Sequence, residues 1–505
     1  MKIPATVNAL LPLPRSALVV SSGLLFVLVG YVLARDLKIG LIAAVAFASL
    51  CLLLAKPKVI LYATIALLVI ALDEGTISEF PDSMIFRLNI GRVYLMEFAV
   101  FGLLAVHILK RLSKRSTGVR ESIFASTSLD RPLLAFAFLL PIYGLYGLAQ
   151  GNPFQSAVGY HEWRSLFLAI VFYFLVVTLV ETGEEARRLF WWFFSLVGLK
   201  ALAFLVLYSL GVESALPLVF GGGPFRAGPE NVMFAFAALG AISLLVCKIE
   251  RGPWLRGFVL LTALATVSNL VLGSKRNSQT LLVLGNIVLA WLLPKRAKRK
   301  WAAAMVGAVA LFFFISVLMP KKAASDVRAS VGRYDEIVEF LQSGTVPISA
   351  HGTFAFHVYD WLDAWEAIKQ HPLIGHGFGG KFKRSYTALR GVEGPGGLSA
   401  GMVHNQYLEF WWKIGLPGLV VFLWTIIRYL RVGYRRIPSI PSLEGRAIAW
   451  GLYSAMCALC AGALWADSFV GCTKLPFLTY FSMALVICLA RNEGPAATAQ
   501  TRVAS

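Results

Sequence analysis

Histidine is concentrated in one polar stretch of this chain, between residues 351 and 404. A neutral imidazole, with a pKa of about 6.5, accepts a proton at neutral pH, so this stretch is a candidate site of general base catalysis. Imidazole is also a common metal ligand, but the stretch has no close-packed ligand pattern such as His-x-x-Glu-His, and we expect no metal site. Five of the seven histidines lie there: His351, His357, His371, His376 and His404.

His404 is the strongest candidate for the base, because it stands where the polar stretch meets an apolar run that begins His-Asn-Gln-Tyr-Leu-Glu. The alternative is a histidine at a helix end that hydrogen bonds to lipid headgroups or to the backbone. Asn405, Glu409 and Lys413 follow at helical spacing. The i, i+4 spacing of Glu409 and Lys413 predicts an ion pair.

Cations beside glycine turns form a second pattern. Arg226 lies in Gly-Gly-Gly-Pro-Phe-Arg-Ala-Gly, Lys275 and Arg276 lie in Gly-Ser-Lys-Arg-Asn, and Arg164 begins an apolar run. Snorkelling to headgroups explains any one of them alone. Several cations next to tight turns are what a buried diphosphate requires, because its negative charges must be paired.

The elements that position these residues are apolar helices. Hydrophobic residues make up 58% of the chain, charged residues 15%, and the mean hydropathy is +0.70. Runs of about 20 apolar residues recur, each long enough to cross about 30 Å of hydrocarbon as a helix. We predict an all-α polytopic membrane protein with about 12–14 transmembrane helices and one large periplasmic loop that contains short helices. The predicted spans are 17–34, 39–55, 59–73, 91–109, 132–149, 163–181, 189–210, 231–247, 257–273, 278–293, 301–319, 405–428, 446–466 and 473–490.

Basic clusters set the predicted orientation. Cytoplasmic loops carry an excess of Lys and Arg, and the clusters at 110–120, 295–300 and 428–436 share the cytoplasmic side if both chain ends lie there. Most of the formal charge of +20 is explained in this way, and no aromatic-interleaved soluble module accompanies the clusters, so we expect no nucleic-acid partner. The four cations beside the glycine turns and apolar run fall on the opposite side, where cations are less common.

The predicted domains are 1–319 with transmembrane helices 1–11, a periplasmic loop domain at 320–404, 405–490 with helices 12–14, and a cytoplasmic tail at 491–505.

The long loop contains helical patterns. Trp361, Trp365 and Ile368 recur at helical spacing, and Asp360 and Asp363 fall mostly on other faces, where we expect them to be solvated. A carboxylate with a divalent metal is the alternative role for these two aspartates. A weaker pattern predicts another helix at 334–341. The sequence His-Pro-Leu-Ile-Gly-His-Gly-Phe-Gly-Gly, which follows the aspartates, predicts a helix end and tight turns.

These motifs, taken in order, resemble the bacterial O-antigen ligase and O-antigen polymerase superfamily. The resemblance rests on the Gly-Ser-Lys-Arg-Asn turn, the His-Pro-Leu-Ile-Gly-His-Gly-Phe-Gly helix end, the long loop, and the His-Asn-Gln-Tyr-Leu-Glu run followed by Gly-Leu-Pro-Gly. It covers about residues 220–425. Members of this family are metal-independent inverting glycosyltransferases that take a glycan from undecaprenyl diphosphate on the periplasmic face of the inner membrane.

The resemblance implies a role for each candidate residue. His404 is the base or the residue that orients the acceptor, and Arg226 and Arg276 bind the donor diphosphate. Lys275 and Arg164 are further candidates for that binding role. Residues expected to contribute from the loop or beside it are His357, Arg333, Asn405 and Glu409.

The chain departs from the family pattern at two places. The family usually has Ser-Arg in the turn, whereas here Lys275 stands between Ser274 and Arg276, so either cation is a candidate to face the phosphate. The family commonly has an Arg about four residues before the tryptophan that corresponds to Trp361, where this chain has His357. Either this histidine takes a weaker role, or the charge comes from elsewhere in the loop: Arg328, Arg333 or Arg384.

The resemblance therefore implies transfer of a glycan from an undecaprenyl-diphosphate donor to an acceptor hydroxyl, without a cofactor, in ligation or polymerisation of O-antigen, capsule or exopolysaccharide. The expected partners are the lipid-linked glycan, an acceptor sugar on lipid A core or a second lipid-linked glycan, and the bilayer. A protein O-oligosaccharyltransferase of the same superfamily is an alternative, because it shares the donor motifs. A polysaccharide or lipid transporter is another, favoured by the number of spans and by Lys200 within one of them. The chain shows no paired halves, however, and transport does not need the long loop.

Overall fold

The structure is a computed structural model. It describes residues 57–70, 87–88, 93–115, 124, 126–157, 160–209, 228–247, 252–272, 276–318, 342–343, 353–383, 399–400, 403–465 and 474–491. The first two predicted spans and the predicted helix at 334–341 lie outside these ranges.

The chain divides into two compact units. The first comprises residues 1–67 and 86–126 and the second residues 68–85 and 127–505. In chain order the early elements are α1 (Pro57–Ile70), the antiparallel strands β1 (Arg87–Leu88) and β2 (Val93–Tyr94), and α2 (Leu95–Arg115).

The second unit contains the candidate site, and its described residues are almost entirely helical. A π-helical turn, Tyr160–Arg164, leads directly into α5, and a 3₁₀ turn, Ile437–Ser439, follows α12. Two short strands, β3 (Phe382–Lys383) and β4 (Ser399–Ala400), pair antiparallel within the long loop. Its helices are α3 (Asp130–Ala149), α4 (Phe154–Ala157), α5 (Ser165–Leu179), α6 (Gly183–Ser209), α7 (Gly228–Val246), α8 (Pro253–Leu272), α9 (Arg276–Leu292), α10 (Lys295–Leu318), α11 (Thr353–Gln370), α12 (Gln406–Arg436), α13 (Leu443–Gly462) and α14 (Lys474–Arg491).

Hydropathy and length identify the membrane-crossing helices. The described residues include 5 helices that are long and apolar enough to span a bilayer: Asp130–Ala149, Glu162–Leu179, Gly183–Val206, Pro253–Val271 and Gln406–Ser439. Each predicted span from 59–73 onward overlaps a described helix, and the largest difference is at the end of α12, which continues to Arg436. The chain is thus an all-α polytopic membrane protein, as the composition predicts.

Helix packing forms the core of the second unit. Helix α7 packs against α8 and α13, α14 packs against α5, and α12 packs against α3. Helix α11, from the long loop, packs along α12. Its Ala364 and Ile368 are buried together with Phe382, Val403 and Trp412. The loop helix is therefore fixed to a membrane-spanning helix rather than suspended above the bundle.

Helix α12 is kinked near its beginning. Ile414 and Gly415 leave helical geometry, and Gly415 has a φ of 62°. The cause is Pro417, which has no N–H to donate to the carbonyl of Lys413 four residues earlier. The kink leaves backbone groups that need other partners, and the long loop supplies them.

Candidate active site

The turn after α11 is joined to the kink by backbone hydrogen bonds. Gly377 donates its N–H to Lys413 O at 2.9 Å. This hydrogen bond replaces the one that Pro417, which has no N–H, cannot donate to the same carbonyl. His376 N donates to Trp412 O at 2.8 Å. Gly377 has a φ of 74°, and a Cβ there would stand 2.4 Å from Gly147 Cα, so this position requires glycine. The predicted helix end and tight turns are confirmed, because α11 ends at Gln370.

The beginning of α12 is capped and anchored. Asn405 is the N-cap residue, and its Oδ1 accepts hydrogen bonds from Tyr407 N at 3.0 Å and Leu408 N at 3.1 Å. Gln406 N donates to Ala463 O at 2.9 Å, which ties the helix start to the end of α13. Asn405 therefore has a structural role, and His404 immediately before it is held in a defined position.

His404 is paired with a buried carboxylate. Asp360 Oδ2, on α11, accepts a hydrogen bond from His404 N at 2.7 Å and lies 3.1 Å from His404 Nδ1. Asp360 is 1% exposed, whereas the His404 side chain is 26% exposed. The expectation that Asp360 lies on a solvated face is therefore wrong. The carboxylate favours the tautomer with its proton on Nδ1, which leaves Nε2 as a proton acceptor.

Two other loop residues contact His404. The ring centroid of His357 lies 4.9 Å from that of His404, with the rings inclined at 64°. Trp361 Nε1 donates to His404 O at 2.9 Å. His357 is thus brought to the candidate base, as expected for a residue that contributes from the loop, although its role stays a prediction.

The remaining described loop histidines form a separate pair. The rings of His371 and His376 are 4.8 Å apart, and His376 Nε2 lies 2.9 Å from Ala367 O. Burial, reinforced by the neighbouring His371, lowers the pKa of His376 below its usual value. Within the described ranges, no three His, Cys, Asp or Glu side chains gather in a way that could hold a metal ion.

A buried cluster of charged side chains lies beside the first two turns of α12. Lys413 Nζ is 2.7 Å from Glu409 Oε1 and 2.5 Å from Glu162 Oε2, so the predicted pair of Glu409 with Lys413 is confirmed and has a third member. Gln406 Nε2 donates to Glu409 Oε2 at 3.3 Å. Glu162 belongs to the π-helical turn before α5, so the cluster joins this turn to α12. Lys413 and Glu409 side chains are 2% and 0% exposed.

We expect Lys413→Met to destabilise the protein strongly, because it leaves the carboxylates of Glu162 and Glu409 without their cation in a buried site. Removing one partner of a buried ion pair costs about 3–5 kcal/mol. The measurement is the melting temperature in detergent. Lys369→Met is the matched control, because Lys369 pairs with Glu366 at 2.6 Å on an exposed surface. Such pairs contribute about 0–1 kcal/mol. Equal melting temperatures for the two variants would show that the buried ion pairs of Lys413 do not stabilise the protein.

The predicted phosphate-binding cations are only partly described. Arg164 is half-buried, ends the π-helical turn, and lies two residues after Glu162. Arg276 is the first residue of α9. Arg226 and Lys275 lie outside the described residues, and so does Arg333, which was predicted to contribute from the loop. The roles of all five stay predictions.

Lys200 has partners that the sequence did not indicate. Its Nζ lies 2.8 Å from Glu230 Oε2 and donates to Val69 O at 2.7 Å. Lys474 also hydrogen bonds to Glu230. The side chains of Lys200, Glu230 and Lys474 are 8%, 0% and 7% exposed. Lys200 is thus part of a buried cluster that links α6, α7 and α14.

Asp360 and Glu162 are the two site residues that the sequence interpretation missed. A signal for Asp360 was present, because Asp360, Ala364, Ala367 and Ile368 follow the i, i+4, i+7, i+8 pattern of one helix face, and that face is buried. No comparable signal marks Glu162. It is 251 residues away from Lys413 in sequence, and only the packing of helices brings them together.

The central part of the chain is similar to known proteins. Residues 259–423 match the family described as O-antigen ligase, a range that contains Asp360, His404 and Lys413. A protein of Haemophilus influenzae, described as uncharacterized, is 26% identical over 223 residues, which cover 44% of this chain and 53% of that protein. The chain thus spans about half the length of this curated relative. The family match supports the O-antigen ligase superfamily and confirms the resemblance seen in the motifs.

Proposed function

We propose, from the O-antigen ligase superfamily that the match over residues 259–423 supports, that this protein is an inverting, metal-independent glycosyltransferase. The family indicates in general an enzyme of the O-antigen ligase or polymerase type, with lipid-linked glycan and lipid A core as partners. The finer proposal is that the donor is an undecaprenyl-diphosphate-linked glycan and that the acceptor is a sugar hydroxyl. The site then faces the periplasm from the inner membrane, where surface polysaccharide is ligated or polymerised.

The observation that carries this proposal is the pairing of His404 with Asp360. His404 has a partly exposed ring, and the buried carboxylate 3.1 Å from Nδ1 leaves Nε2 to accept a proton. In the proposed reaction Nε2 takes the proton of the acceptor hydroxyl as its oxygen attacks the anomeric carbon. Asp360 orients the ring and stabilises the imidazolium that forms.

The donor side requires charge stabilisation rather than a nucleophile. The acceptor oxygen forms a bond to the anomeric carbon while the bond from that carbon to the diphosphate oxygen breaks, and the electron pair leaves with the diphosphate. Attack from the face opposite the leaving group inverts the anomeric configuration. We assign charge stabilisation of the diphosphate to Arg226 and Arg276, with Lys275 and Arg164 as further candidates.

Metal independence is tested by chelation. We expect purified protein to transfer glycan at an unchanged rate after treatment with EDTA and dialysis, because the arginines supply the positive charge that a divalent ion otherwise brings to a diphosphate. A metal-dependent glycosyltransferase assayed in parallel shows that chelation was complete. Loss of activity that returns with added magnesium or manganese would contradict the proposal.

The function itself is tested by deleting the gene in its host. Lipopolysaccharide and the undecaprenyl-linked glycans are then compared on gels, with the deletion complemented by wild-type protein or variants. We expect Arg226→Ala and Arg276→Ala to fail to restore surface polysaccharide at normal protein levels. Arg256→Ala is the matched control, because Arg256 is an exposed arginine on α8, and it is expected to restore the wild-type pattern.

The same gels distinguish the acceptors. Long lipid-linked chains that accumulate beside bare core identify a ligase, whereas single repeat units on lipid and on core identify a polymerase. An unchanged pattern in both fractions contradicts a role in lipopolysaccharide. Analysis of glycoproteins then tests the protein O-oligosaccharyltransferase alternative, which uses the same donor.

A further inference from the structure

Large apolar side chains are exposed on the second half of α11 and in the turn after it. Four large side chains there are exposed: Leu362 55%, Trp365 42%, Leu373 65% and Ile374 56%. We call these four residues the apolar turn. The opposite face of α11 is also apolar, but it is buried on α12. Isolated exposed leucines are common on proteins, whereas several large apolar side chains exposed close together are typical of a surface that binds protein or membrane.

The apolar turn is continuous with the exposed face of α12. The ring centroids of Trp365 and Trp411 are 5.4 Å apart, and Trp411 Nε1 donates to Pro372 O at 2.8 Å. Leu416 N also donates to Pro372 O, at 3.3 Å. Below Leu416, further large apolar side chains are exposed along α12: Val420 53%, Trp424 44% and Ile427 57%. Because α12 is long and apolar enough to span a membrane, this face is where lipid contact is expected.

The length of α12 gives the depth of the turn. Exposed arginines mark the far end of the helix, from Arg428 to Arg436. At about 1.5 Å per residue, the kink at Gly415 lies about 20 Å from Arg428 and about 30 Å from Arg435. The hydrocarbon of a bilayer is about 30 Å thick, and arginine side chains reach along it to the headgroups. If α12 runs along the membrane normal, this length places the kink, and the turn bonded to it, near the opposite boundary of the hydrocarbon from the arginines.

We propose that the apolar turn is inserted into the membrane, with lipid of the leaflet on the His404 side as its partner. Trp365 and Trp411 then lie at the boundary between headgroups and hydrocarbon, which is the position that tryptophan prefers. Glu366 and Lys369, which are exposed beside Trp365, form a pair at 2.6 Å and add no net charge there. The segment that was predicted as part of a periplasmic loop thus has one side in lipid, and it holds α11, with Asp360, at a fixed depth.

Spin labelling tests this insertion without any enzyme assay. Ile374→Cys is made in a variant whose native cysteines are replaced, labelled with a nitroxide, and placed in lipid nanodiscs. Collision with oxygen, which dissolves in lipid, is compared with collision with a water-soluble nickel chelate. Lys381→Cys is the matched control, because Lys381 is an exposed polar residue shortly after the turn. Leu373→Cys serves as a second label position if Ile374→Cys does not fold.

We expect the label at 374 to collide more with oxygen than with the nickel chelate, and the label at 381 to show the reverse. Greater access of the nickel chelate at 374 places the turn in water and overturns the proposal. Low access of both reagents indicates that protein covers the turn, which also overturns it. Since the label reports location alone, these outcomes are independent of whether the protein transfers glycan.

Discussion

His404→Ala is expected to abolish glycan transfer while the protein level stays unchanged. The variant removes the imidazole that accepts the proton from the attacking hydroxyl, and a positioned general base contributes about 10²–10⁴ in rate. The backbone N–H that bonds to Asp360 remains, so the start of α12 keeps this contact. The measurement is the rate of transfer from purified lipid-linked donor by protein in detergent or nanodiscs, together with surface polysaccharide in the complemented deletion strain.

His371→Ala is the matched control for this change. His371 also belongs to the loop, but it is exposed and its ring contacts His376 rather than His404. We expect this variant to retain transfer. Full activity of His404→Ala would show that another group takes the proton and would refute the assignment of the base.

Asp360→Asn is expected to lower kcat by about 10²–10⁴, with little change in the KM for the donor. An Asp-to-Asn change beside the histidine of a Ser-His-Asp triad costs about 10⁴ in kcat. Asparagine has nearly the same shape and its Oδ1 still accepts the N–H of His404, but it lacks the charge that stabilises an imidazolium. The donor KM is expected to stay nearly constant, because we assign binding of the diphosphate to the arginines.

Two further measurements separate positioning from folding. The melting temperature of Asp360→Asn is expected to stay close to that of the wild type, because the backbone hydrogen bond is kept. Asp363→Asn is the matched control, since Asp363 lies three residues further along α11 and is only half-buried. A rise in KM at unchanged kcat, or equal losses in both variants, would refute a role for Asp360 acting through His404.

The local elements were predictable because they depend on neighbouring residues. The helix around Trp361, the end of α11 before Pro372, and the pair of Glu409 with Lys413 follow from helical spacing and from proline chemistry. The apolar runs likewise predicted where the described helices from 59–73 onward lie, with the largest difference at the end of α12, since the spanning length is set by the thickness of the bilayer. Such features require no knowledge of which helices are neighbours.

The burial and the partners of the polar residues on those helices were less predictable. Asp360 was expected in solvent because a carboxylate is usually exposed, yet it is 1% exposed and bonded to His404. A buried carboxylate needs a partner, and its partner came from an element 44 residues away. The same holds for Lys200, which looked isolated within a span and lies beside Glu230.

The sequence by itself determined the class of the protein, its membrane helices, the family resemblance and the identity of His404 as the candidate base, because composition, periodicity and short motifs are properties of contiguous residues. Only the tertiary structure decided that Asp360 pairs with His404, that Glu162 joins Glu409 and Lys413, and that Gly377 donates a hydrogen bond to the carbonyl freed by Pro417. These contacts link residues far apart in the chain. They form only when helices pack and exclude water, because each buried charge or backbone group then needs a partner from a neighbouring element.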